Sequence, residues 1–77
     1  MSDSPKPSYT GKSRGKVVMN VTIDSSGSVT SASFEPKRST TDAVELVEAA
    51  RNAALRTRFT PSNISGERGT ITYIFSY

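Results

Sequence analysis

The sequence predicts an α+β domain of element order β-β-α-β: a three-stranded antiparallel sheet of strand order 2-1-3 with one helix covering one face. Apolar residues recur at every second position from Val17 to Ile23 and again from Ile71 to Tyr77, the period of a half-buried strand. A polar, glycine-bearing turn separates the first run from a second extended stretch. Between the second and third extended stretches, apolar residues recur at helical spacing from Ala43 to Thr57.

Met1–Ser13 (residues 1-13) is rich in Ser, Pro and Lys, with Tyr9 as its large apolar residue, so it lacks the apolar surface to offset the entropy of ordering and reads as a flexible tail or linker. The domain is residues 14-77. In its first strand Val17, Met19, Val21 and Ile23 share one face, and Val18, Asn20, Thr22 and Asp24 the other. The turn DSSGS, Asp24–Ser28, places Gly27 for a positive φ, and the second strand follows in SVTSASFE. There Val29, Ala32 and Phe34 do not alternate strictly, which predicts a bulge near Thr30 and Ser31.

Asp42 and Glu45 have the spacing of a capping box, so the helix is expected to start there. Ala43, Leu46, Val47, Ala50, Ala53, Ala54 and Thr57 form its apolar stripe, while Glu45, Glu48, Arg51, Asn52 and Arg56 face water. Pro61 is expected to stop the helix, with Phe59 anchoring its end against the sheet. SNISGERG reads as a loop, and the last strand, Thr70–Tyr77, carries Ile71, Tyr73, Phe75 and Tyr77 on its core face. A helix of about 15 residues spans ~22 Å, close to an eight-residue strand. If it carries the chain across the first strand, the third strand pairs antiparallel with the first and lies at the sheet edge.

Composition narrows the chemistry. The chain of 77 residues has an apolar share of 34%, so one thin core is expected. With no Cys and no His it lacks the thiolate, the usual zinc ligand and the usual general base, which argues against an enzyme and against a metal or other cofactor. No stretch approaches the ~20 apolar residues of a membrane span. Asp42, Glu45 and Glu48 are explained by capping and a solvated helix face rather than by a metal. GKSRGK, Gly11–Lys16, precedes a strand instead of opening a helix, so it fails as a phosphate loop. A net charge of +3, with Lys37, Arg38, Arg51, Arg56 and Arg58 beside Tyr73, Phe75 and Tyr77, raises a sheet-based nucleic-acid binder. The aromatic face is the one the helix must cover, so core is the simpler role and nucleic acid is not the expected partner.

What stands out is the strand itself: from Thr70 to Tyr77 (Thr70, Ile71, Thr72, Tyr73, Ile74, Phe75, Ser76, Tyr77) there is no charge, Pro or Gly. Such an edge invites pairing unless something occupies it. These residues form the expected partner-binding site, by strand addition or by pairing with a second copy in a homodimer.

RGKVVMNVTIDSSGSVTSASF, then STTDAVELVEAARNAALRTRFTP, then GERGTITYIFSY, in this order and spacing, resemble the C-terminal domain of TonB-like energy transducers of the Bacteroidetes type. The resemblance runs from Arg14 to Tyr77. It implies a non-enzymatic periplasmic domain, tethered to the inner membrane in the full-length protein. Its implied partners are TonB-dependent outer-membrane transporters, gripped by pairing an edge strand with their Ton box, and the proton-driven ExbB/ExbD motor, reached through segments outside these 77 residues. The family's edge strand maps onto Thr70–Tyr77. An envelope scaffold that dimerises through the same edge is the alternative.

Overall fold

The computed structural model describes residues 14–76. The elements are β1 (Gly15–Ile23), β2 (Val29–Phe34), α1 (Val44–Arg56) and β3 (Glu67–Phe75). β1 pairs antiparallel with both neighbours, giving the order β2-β1-β3, so the α+β class, element order and strand order are as the sequence predicts. The proposed tail, 1–13, and Tyr77 lie outside the described residues.

Val17, Met19, Val21 and Ile23 are buried under α1 as the alternation requires, with Met19 and Val17 fully enclosed. α1 answers with Leu46, Ala49, Ala50, Ala53 and Ala54. Four small alanines let the helix lie close to the sheet, and Leu46, with no exposed surface, supplies the bulk. Val29, Tyr73 and Phe75 complete the core. The helix lies mainly over β2 and β1 and touches β3 least.

The hairpin turn is held by Asp24, whose Oδ1 accepts from the Ser26 hydroxyl (2.6 Å) and from the N–H groups of Ser26 and Ser28 (3.0 Å each). Gly27 takes φ +91°. Thr22 pairs with Ser31 but Ile23 with Val29, which leaves Thr30 as the extra residue of a bulge where one was expected.

Two expectations at the helix ends are corrected. The Asp42–Glu45 capping box does not form: the helix N-cap is Ala43, without a side-chain cap bond. The hydroxyl of Thr41 instead accepts the Ala43 N–H at 3.1 Å, a local turn that sets the chain direction one step earlier. Pro61 does not end the helix, which stops at Arg56. There Thr57 turns extended, its buried hydroxyl donating to the Ala53 carbonyl at 2.9 Å. Phe59 is half-buried against the core, and its N–H ties it to the hairpin turn through the Gly27 carbonyl at 2.8 Å.

The last strand begins three residues earlier than its uncharged run. Glu67, Arg68 and Gly69 pair with Ile23, Thr22 and Val21, because β1 extends that far and main-chain pairing is indifferent to side chains that reach solvent. It ends at Phe75, opposite Gly15, where β1 itself begins.

Candidate strand-docking edge

Which groups β3 offers to a partner follows from β1. The Val18 N–H donates to Ser39 Oγ at 2.9 Å and its carbonyl accepts the Glu35 N–H at 2.9 Å. The Lys16 N–H donates to Thr40 Oγ1 at 2.7 Å, and its carbonyl accepts the Thr40 N–H at 2.9 Å. In an antiparallel strand a residue sends both main-chain groups to one side and its neighbour sends both to the other. Lys16 and Val18 therefore face the β2 side, while Gly15, Val17, Met19, Val21 and Ile23 face β3.

Their opposites in β3 are Phe75, Tyr73, Ile71, Gly69 and Glu67. The main chain of these five is consumed within the sheet. Arg68, Thr70, Thr72 and Ile74 consequently point N–H and C=O away from β1, and among the described residues no strand pairs with that edge. Their run of about 20 Å, at ~3.4 Å per residue, matches an extended segment of some six or seven residues.

The expected site residues divide in two. Thr70, Thr72 and Ile74 are exposed, Ile74 by 69%, and Ser76 is exposed just beyond the strand. Tyr73 and Phe75 are buried in the core and Ile71 is half-buried, so they build the strand rather than present side chains to a partner. Sequence reasoning leaves out Arg68 because SNISGERG reads as a loop. The alternation Arg68, Thr70, Thr72, Ile74 already continued the strand period through it.

The two edges of the sheet differ. β2 has six residues, a bulge at Thr30 and, beyond Phe34, Pro36, Lys37 and Arg38, all features that discourage pairing. The segment after it folds back along β1, where the hydroxyls of Ser39 and Thr40 stand in for strand carbonyls. β3 has nine residues in unbroken register, with charge confined to Glu67 and Arg68 at its start.

The basic residues are dispersed in their bonding. Arg51 pairs with Glu48 at 2.9 Å on the helix, Arg56 Nε donates to the Asn52 carbonyl, and Arg58 donates to the Ser28 hydroxyl. Among the described residues no helix is long and apolar enough to cross a membrane. No protein-family model matches the chain, and neither does any curated protein or solved structure.

Proposed function

We propose that this domain is a binding module that captures an extended segment of another protein by strand addition along the outer edge of β3. The observation that carries this is the outward row of main-chain groups on Arg68, Thr70, Thr72 and Ile74, in a regular strand uncharged from Thr70 to Phe75. Main-chain pairing supplies affinity with little demand on the partner's sequence, and the exposed Thr and Ile side chains add a modest preference. The motif resemblance supports one partner and setting for this capture: a periplasmic domain of a TonB-like energy transducer engaging the Ton box of an outer-membrane transporter.

A second reading is favoured by Ile74, a large apolar side chain left 69% exposed at the edge. Antiparallel pairing of β3 with its copy would cover it and make a six-stranded sheet. An amide-shift titration of the labelled domain with extended peptides copied from transporter N-termini separates the two. Shifts concentrated at residues 68–76, lost when the peptide carries a mid-strand Pro, support capture. Silence of those amides at millimolar peptide refutes it, and a concentration-dependent mass then supports the dimer.

A further inference from the structure

Among the described residues no helix or strand covers the face of the sheet opposite α1; Val18 is buried there, and beyond it the polar side chains form an ordered grid. Ser31, Thr22 and Arg68 occupy one row across the three strands, and Ser33, Asn20 and Thr70 the next. With strands ~4.8 Å apart and alternate residues ~7 Å apart, six side chains fall within about 10 by 7 Å. A depression of about 430 Å³ opens there, lined by Asn20, Thr22, Ser31, Ser33 and Arg68 among others.

Among the described residues no carboxylate lines this depression. Arg68 makes no ion pair among the described residues, and the hydroxyls of Thr22, Ser31 and Ser33 make no hydrogen bond there. Glu35 accepts from Asn20 Nδ2 at 3.2 Å without entering the lining. A guanidinium in one row with two uncommitted hydroxyls is a donor set for an oxyanion: the fork meets two oxygens, and each hydroxyl can donate to one of them. The aromatic residues of the sheet, Phe34, Tyr73 and Phe75, belong to the other face, so the grid offers no stacking platform for a base or sugar ring.

We propose that this open face binds the oxyanion of a small ligand or headgroup, a carboxylate or a phosphate, with Arg68 as the charged contact and Thr22 and Ser31 as hydroxyl donors. The site meets the docking edge at Arg68, while Thr22 and Ser31 lie on β1 and β2, away from that edge.

The test titrates the labelled domain with inorganic phosphate and, separately, with acetate, at constant ionic strength maintained with chloride. The expected result is saturable shifts at the amides of Thr22, Ser31 and Arg68 with an apparent Kd below about 10 mM for at least one anion. Arg68→Gln is expected to weaken it about fivefold or more, with a smaller loss in Ser31→Ala. A response to phosphate alone identifies a phosphate ligand, and to acetate alone a carboxylate. Shifts that rise linearly, as with chloride, or that persist unchanged in Arg68→Gln overturn the proposal. If Arg68→Gln does not fold, Arg68→Lys keeps the charge and removes the fork, and unweakened binding in that variant overturns the bidentate contact. Because Ser31→Ala leaves the β3 edge untouched, anion binding and peptide capture fail or succeed independently.

Discussion

The main-chain N–H of Phe59 donates to the carbonyl of Gly27 across 2.8 Å, joining the segment after the helix to the β1–β2 turn. Beside it the Ser62 N–H donates to the Ser25 carbonyl at 3.0 Å, and Arg58 bridges Ser28. Two loops far apart in sequence thereby become one structural unit at the end of the sheet where β3 starts. Gly27 makes this approach possible: at φ +91°, a Cβ there would collide with the carbonyl of Phe59. Gly27→Ala is therefore expected to cost about 3 kcal/mol, combining backbone strain with the forced separation of the loops. A urea melt measures this, and a loss under about 0.5 kcal/mol would show that the junction is dispensable.

The helix start gives a paired comparison. Thr41 accepts the Ala43 N–H, whereas no side chain caps the helix from Asp42. Thr41→Ala is expected to lose about 1 kcal/mol and Asp42→Ala less than about 0.5, the reverse of what a capping box would give. Equal losses would restore Asp42 as a cap.

Acid sensitivity should be concentrated in two carboxylates. Asp24 is held below its ordinary value chiefly by the Ser26 hydroxyl, then by the Ser28 N–H. Glu35 is held low chiefly by the Asn20 amide, then by the Lys37 N–H. A carboxyl with a lower pKa folded than unfolded stabilises the fold above its unfolded pKa, and that contribution disappears as pH falls through the folded value. Urea midpoints are thus expected to be level above about pH 5 and to fall below the ordinary carboxylate range near pH 4. Asp24→Asn should flatten part of that fall, and an unchanged pH profile in this variant would remove the turn as a source.

Tyr73 is buried, and its hydroxyl has no hydrogen-bond partner among the described residues. Removing an unsatisfied polar group while keeping the ring is expected to leave stability unchanged or raise it by up to about 1 kcal/mol. A Tyr73→Phe domain that melts markedly earlier would reveal a partner for that hydroxyl.

How far the sequence carries this description depends on the kind of interaction. β1 was legible because Val17, Met19, Val21 and Ile23 obey a strict period, and α1 because its stripe is long. The strand order followed from the helix having to cross one three-stranded sheet. What stayed hidden depends on contacts distant in sequence. Nothing local shows that Ser39 and Thr40 serve as surrogate strand carbonyls for Val18 and Lys16. Nor does it show that Phe59 meets Gly27, or that Glu67 and Arg68, polar and beside glycines, are drawn into a strand by the length of β1. The site divided similarly: alternation located the uncharged strand, but only the facing of Lys16 and Val18 shows which of its residues turn their main chain outward.

That facing leads to the sharpest test of the edge. The N–H of Thr72 points away from β1, whereas that of Tyr73 belongs to the β1–β3 ladder, so proline at the two positions removes different bonds. Thr72→Pro deletes one outward donor and no ladder bond. It is expected to keep a dispersed, folded spectrum with a stability loss near 1 kcal/mol, while peptide capture weakens about tenfold or more. Tyr73→Pro deletes a ladder bond and a core ring, and should unfold a domain with so thin a core. The comparison separates the edge from the fold because the positions are adjacent and differ in the side they face. A folded Thr72→Pro domain that binds its peptide as tightly as the parent would exclude pairing across this residue and, with it, strand addition at the centre of β3.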